Sequence, residues 1–259
     1  MRILNKIRAI FSGDAIEFTC PKRWEELTRQ QLVYILYLVN HFPMSSVKTY
    51  ALARFCGITP VEKKHREGWV CDVKTNKGKK RIMMPTAVLA SMTHCLDFLD
   101  NPERYTVRLD DAGGCFAVHR LLRGVPFQDY LTAENYYQAF LIKKDMAMLD
   151  AIGRILYLDK KGRMKKGVKF SDEERTNILF WWMNVKDEFS RLYPHFFVKA
   201  APGEVGQSDM REAVNAQIRA LTGGDVTKEE YILSIDCNRA LTELDAKAKE
   251  YNELKKIKK

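Results

Sequence analysis

Leu221-Thr-Gly-Gly-Asp225-Val-Thr-Lys-Glu-Glu230-Tyr-Ile-Leu-Ser-Ile-Asp-Cys-Asn-Arg-Ala240-Leu241-Thr-Glu-Leu244-Asp-Ala-Lys-Ala248-Lys-Glu-Tyr251-Asn-Glu-Leu254, followed by a lysine-rich end, sets the character of the chain. It is a punctuated, amphipathic helical module. Gly223 and Gly224 fit a helix end, because glycine adopts positive φ without a Cβ penalty. Thr227 with Glu230 predicts a capping box for the next helix, and a last helix is expected from near Asn238. Leu241, Leu244, Ala248 and Tyr251 fall at 3-4-3 spacing, which places them on one stripe. Glu243, Lys247, Lys249, Glu250 and Glu253 lie largely off it. So charged a helix has little reason to form alone. Its stripe either closes the core of this chain or docks on a partner or a second copy.

Upstream, the same reasoning predicts further helices. Thr28 with Gln31 and Ser171 with Glu174 are capping-box pairs. The first opens a helix with Leu32, Ile35, Leu36 and Val39 on one face. The second opens a helix running through Phe180-Trp181-Trp182. Ser45 or Ser46 is expected to cap a helix ending at Gly57, and Thr132 one containing Tyr136 and Phe140. Met146, Leu149, Ile152 and Ile155 form another stripe. The region 68–84 differs. Trp69–Val73 and Arg81–Met84 flank a polar Asn76 and Gly78 turn, which predicts a β-hairpin with a basic tip. Tyr105–Leu109 and Cys115–His119, around Asp110-Asp-Ala-Gly-Gly114, predict a second short one. A polar linker is expected at 200–208. The expected fold is mainly α, a helical domain with one or two small β-hairpins. Its parts are a mixed region, 1–125, and an all-helical region, 126–259, which together can be one continuous domain.

The chain has 259 residues, 46% of them hydrophobic and 29% charged, with a formal net charge of +10. That basic balance fits an acidic partner such as nucleic acid, and equally a solvated basic surface. The six cysteines are scattered without a C-x-x-C pair, which reads as reduced core thiols rather than a disulfide framework. The basic N-terminal stretch lacks the long apolar run of a signal peptide. No apolar stretch is long enough for a membrane helix. The expected compartment is the cytoplasm.

Catalytic signatures are sparse. There is no phosphate-binding glycine loop and no nucleophile elbow. His65 near Cys56 and Cys71, and His94 beside Cys95, lack the tight pairs that preorganise a metal site. His119-Arg120-Leu-Leu-Arg123 is similar to the H-x-x-R box of tyrosine recombinases, but its offset is one residue too long. Asp110 and Asp111 read as turn residues. The sequence therefore predicts no catalytic residue, no metal and no cofactor. What remains are two lysine clusters and the helical faces. Lys77, Lys79 and Lys80 of the hairpin tip, with Lys160, Lys161, Arg163, Lys165 and Lys166 of a glycine-broken loop, are candidate nucleic-acid contacts through phosphates. Lysine predominance argues against bidentate base reading. Trp181, Trp182, Leu241, Leu244 and Tyr251 are candidate partner-interface residues, with one tryptophan expected in the core and its neighbour at the interface.

Three segments carry a resemblance: Pro21-Lys-Arg-Trp24-Glu-Glu-Leu27-Thr28-x-x-Gln31-Leu32; Asn135-Tyr-Tyr137-Gln138; and Ala220-Leu-Thr222-Gly-Gly-Asp225-Val-Thr227 with Arg239-Ala-Leu-Thr242-Glu-Leu244. In their order along the chain they resemble small proteins encoded among the tail or virion assembly genes of Bacteroides-type phages and prophages. These in turn resemble tail assembly chaperones. The resemblance implies a helical, non-enzymatic protein of a bacterial cytoplasm that binds a phage structural protein. The alternative is a nucleic-acid-associated accessory protein acting through its lysine-rich loops. A third reading, an enzyme with an unrecognised site, has no motif behind it.

Overall fold

The Thr28–Gln31 pair forms the reciprocal cap its spacing predicts. The Thr28 hydroxyl accepts the Gln31 N–H at 3.2 Å, and Gln31 Oε1 accepts the Thr28 N–H at 2.9 Å. The computed structural model describes residues 6–11, 14–64, 67–75, 78–197 and 209–257. The chain divides into two compact units, 1–107 and 108–259.

In the first unit, β1 (Lys6–Phe11) pairs antiparallel with β2 (Asp14–Thr19). Then follow α1 (Arg29–His41) and α2 (Met44–Phe55). The cap of α2 is Pro43, not Ser45 or Ser46. Proline sits at φ −58°, already suited to a helix entry, and makes no side-chain cap bond. A three-stranded antiparallel sheet in the order β3-β4-β5 comes next: β3 (Ile58–Lys64), β4 (Gly68–Thr75) and β5 (Gly78–Met84). The hairpin is where the sequence places it, but β3 is an added third strand. α3 (Thr86–Thr93) continues into a 3-10 helix, His94–Asp100. The core gathers Leu32, Ile35, Leu36, Val47, Leu52, Val73 and Met84, with Trp24 set edge-on between Phe98 and Tyr105 at 5.1 and 4.9 Å.

In the second unit, β6 (Asp111–Ala112) and β7 (Cys115–Ala117) make a short hairpin whose first strand lies within the expected turn, Tyr105–Leu109 being no strand. Its third strand is β8 (Tyr157–Leu158). Between β7 and β8 lie α4 (Phe127–Lys143) and α5 (Met146–Leu156). α4 starts at Pro126. Thr132 is inside it, its hydroxyl turned back to the Gln128 carbonyl at 2.8 Å. α6 (Asp172–Leu192) carries the second predicted capping box, with both Ser171 and Glu174 bonds formed. α7 (Asp209–Thr222) ends at Gly223, φ +66°, and Gly224, φ +88°. α8 (Glu229–Ser234) lacks the Thr227 box. Asp225 accepts both the Thr227 N–H at 3.0 Å and its hydroxyl at 2.6 Å, and this sets up a short 3-10 turn instead. α9 (Cys237–Ile257) closes the chain.

Among the described residues helix outweighs strand, in keeping with a mainly α reading, but the strands form three small antiparallel sheets rather than one or two hairpins. No described helix is long and apolar enough to cross a membrane.

Candidate functional site

The predicted interface residues separate sharply. Trp181 and Trp182 are both wholly buried, which corrects the expectation that one of them faces a partner. A helix residue and its neighbour can both be internal when the helix is packed on two sides, as α6 is. The Trp181 indole donates to the Arg120 carbonyl at 2.7 Å, and Trp182 donates to Glu134 at 3.2 Å. Leu241 and Leu244 are buried too, so the first turns of α9 close the core of their own unit. The start of α9 is tied down by Cys237 N–H donating to the Val125 carbonyl at 2.9 Å and by the Asn238 amide donating to the Leu121 carbonyl at 3.0 Å. Tyr251 alone of the set is exposed, on the far half of α9 with Leu254.

The interior of the second unit holds polar groups that satisfy one another. The Leu109 N–H donates to Asn177 Oδ1 at 3.0 Å, Asn177 donates to the Tyr157 hydroxyl at 2.8 Å, and that hydroxyl donates to the Leu109 carbonyl at 2.9 Å. The closed ring pins β8 and α6 to the chain ahead of β6. Burial pushes the Tyr157 phenol up. Asp150 takes a two-pronged grip from Arg175 at 2.8 and 3.0 Å. The His119–Arg123 segment offers no catalytic geometry. Arg120 donates to Asn184 at 3.0 Å, and the His119 ring accepts the Leu121 N–H at 3.2 Å. Desolvation, then the charge of Arg123, holds the His119 imidazole below its usual range.

The six cysteines are all free thiols. His94 and Cys95 diverge: the ring approaches Asp97 at 3.2 Å, while the thiol turns inward to Cys20 at 3.0 Å and the Met92 carbonyl at 2.9 Å. Among the described residues no group of three or more His, Cys, Asp or Glu is arranged to hold a metal. His65 lies outside the described residues.

The cations gather differently. Residues 1–107 hold 17 Lys and Arg against 10 Asp and Glu, a net +7, while 108–259 hold 26 against 23, a net +3. The sheet explains part of this. Register pairs Asp72 with Arg81 and Lys74 with Lys79 on its outward face, while Cys71, Val73, Ile82 and Met84 point to the core. Arg81 clamps Asp72 at 2.8 and 3.1 Å, which holds that carboxyl below its usual range. Lys74 and Lys79, both exposed, face each other as like charges, a pairing that costs stability across a sheet. Lys80 is exposed at the strand end. Lys77 lies outside the described residues.

In the second unit Lys160, Lys161, Arg163, Lys165 and Lys166 are all exposed on one loop. The loop is held by Asp159, which accepts the Lys161 and Arg163 N–H groups at 2.8 and 2.9 Å and pairs with the Arg163 guanidinium. Arg163 is thus partly spent on the turn. Val168 and Phe170 anchor the loop end in the core.

The sequence reading missed an aromatic surface on the α1–α2 pair. Tyr34, Tyr37 and His41 recur on the face of α1 opposite its core stripe. Tyr34 and Tyr37 lie near-parallel at 6.4 Å, and Tyr37 and His41 stack at 4.1 Å. Phe42 meets Tyr50 of α2 at 4.8 Å, and Arg54, one turn on from Tyr50, sits 4.1 Å over the Tyr34 ring. The signal was present in the ring spacing and in composition: from Leu27 to Val61 the sequence has no Asp or Glu. The surface leads toward the sheet, since Gly57 N–H donates to the Arg54 carbonyl at 3.4 Å and Lys74 N–H donates to the Gly57 carbonyl at 3.0 Å. Gly57 holds φ +63°, and an added Cβ there would meet the Lys74 Cβ at 3.0 Å, so glycine suits this junction.

Compared with models of known protein families, with curated proteins and with solved structures, the chain finds no match.

Proposed function

We propose that the protein is a non-enzymatic, nucleic-acid-associated protein that grips phosphate backbones through the outward lysines of the β3–β4–β5 sheet. The observation that carries this reading is the Lys74–Lys79 pair. Two exposed ammonium groups are set opposite each other in register, and the nearby carboxylate, Asp72, is already clamped by Arg81. A phosphate between them turns a local repulsion into two attractions. Lysines act as point charges, so the recognition is of backbone and not of sequence. The exposed loop 160–166 offers a further set of cations on the second unit. The test is a mobility-shift titration with duplexes of unrelated sequence across a salt series. The expected result is binding at low salt that weakens steeply with salt and is similar for all sequences, because each neutralised phosphate releases counterions. Absence of any shift at low salt overturns the reading.

A second reading, an assembly protein that holds a phage structural protein, draws support from a different observation. Val226, Tyr231, Tyr251 and Leu254 are all large and exposed on the C-terminal segment, and Ile218 and Leu221 of α7 are only half covered. A partner's apolar helix laid along α7–α9 would cover such side chains. Co-expression with a phage tail-tube protein tests it: a stable complex lost on removing residues 248–259 is expected, and separate elution of the two chains in size exclusion contradicts it.

A further inference from the structure

Resting on the nucleic-acid reading above, we infer that the α1–α2 face is a stacking platform for the bases of a single strand, with the backbone led onto the sheet lysines. Tyr34, Tyr37 and His41 form one run of rings and Phe42 with Tyr50 a second, with Tyr37 40% and Tyr50 44% exposed. Rings left in water on a helix face are a standing cost unless something covers them. Three features say what the cover is. The first is charge: the sequence from Leu27 to Val61 carries no carboxylate, and the two that reach α2 from outside it, Asp97 and Asp100, are both paired with Lys48. The second is the cation on the first run, Arg54 over Tyr34 at 4.1 Å, which offers both a stacking plane and a phosphate contact. The third is continuity, from Arg54 through Gly57 to Lys74 by backbone hydrogen bonds, and from Lys74 to Lys79 by strand register.

A duplex keeps its base faces stacked on each other and can use only the cations. A single strand has free π-faces, and every base has one, so the platform discriminates strandedness without reading sequence. An apolar protein segment could lie on the rings, but it has no use for the cations beside them.

The experiment is fluorescence anisotropy with a labelled oligothymidylate and a duplex of equal length, using the whole chain. The expected result is at least tenfold tighter binding of the single strand at the same salt. Tyr37→Ala with Tyr50→Ala should remove most of that preference while duplex affinity stays unchanged, and Tyr37→Phe with Tyr50→Phe should restore it. Both positions are surface positions, so thermal melting should match the unaltered protein. Equal affinity for single strand and duplex, or a double-alanine variant that keeps the preference, overturns the inference and leaves the phosphate-gripping reading standing. Failure to bind either oligonucleotide overturns both. Binding of an apolar peptide in the place of the oligonucleotide, abolished by the same alanines, assigns the platform to a protein and also overturns it.

Discussion

Leu241→Ala, Leu244→Ala and Leu254→Ala form a series that tests how far α9 belongs to the core. The three leucines sit on one helix of the same unit and share chemistry, but Leu241 and Leu244 are buried while Leu254 is 59% exposed. Removing a buried leucine side chain costs its transfer energy and leaves a cavity, about 2–5 kcal/mol together. An exposed leucine has little of either to lose, and surface substitutions fall within about 0.5 kcal/mol. The expected losses are thus about 3 kcal/mol at 241 and 244 and close to none at 254. The assay is urea unfolding followed by tryptophan fluorescence. Trp24 and Trp69 lie in the first unit and Trp181 and Trp182 in the second, so a Trp24→Phe, Trp69→Phe background reports the second unit alone. With a urea dependence of about 2 kcal/mol per molar, the buried leucines should lower the midpoint by roughly 1.5 M. A Leu254→Ala shift as large as that of Leu241→Ala, or an unchanged midpoint for Leu241→Ala, refutes the division of α9 into a core half and an exposed half.

Two further outcomes follow from packing and burial. Gly153→Ala should destabilise by about 1–3 kcal/mol, because the added Cβ would stand 2.5 Å from Phe170 and 2.6 Å from Ile178, an overpacked site; thermal melting reads it, and an unchanged melting temperature contradicts it. The Cys237 thiol is pushed up from 9.0 to about 12, first by burial and then by the charge of Asp236. The folded state holds this proton more tightly than the unfolded chain, so the contribution is complete below about pH 9 and fades as pH rises toward 12. Urea midpoints should therefore fall more steeply over that window for the unaltered protein than for Cys237→Ala, and parallel curves contradict the assignment.

The elements most legible in the sequence were those fixed within a few residues. The Thr28–Gln31 and Ser171–Glu174 caps and the 68–84 hairpin depend on neighbours three residues apart or on a turn, and they formed as read. Of the second expected hairpin only the return strand was in place: Tyr105–Leu109 is not a strand, and β6 falls at Asp111–Ala112, inside the expected turn. Non-local pairing was not legible. β8 is a third strand that only its distant partner, β7, defines, whereas β3 folds back locally on β4 but carries Pro60 and a bulge that blur its strand pattern. Ser45, Thr132 and Thr227 had the right chemistry for caps, but Pro43, Pro126 and Asp225 lie closer to where the backbone turns. The tryptophan pair misled because adjacency suggests opposite exposure, whereas α6 is enclosed on both sides. Lys79 was named from its clustering with Lys77 and Lys80, but its cross-strand partner Lys74 is identified only by the strand register. The aromatic surface was not legible, because its rings come from two helices, α1 and α2, that only tertiary packing brings together.

The proposed grip of Lys74 and Lys79 on phosphates is read by the salt dependence of duplex binding, compared between the unaltered chain and Lys74→Ala with Lys79→Ala. Each phosphate contact contributes about 0.9 to the slope of log affinity against log salt. The slope should be shallower by about 1.8 in the double variant, with weaker binding at low salt and the same indifference to sequence. An identical slope and affinity in the two proteins would contradict it.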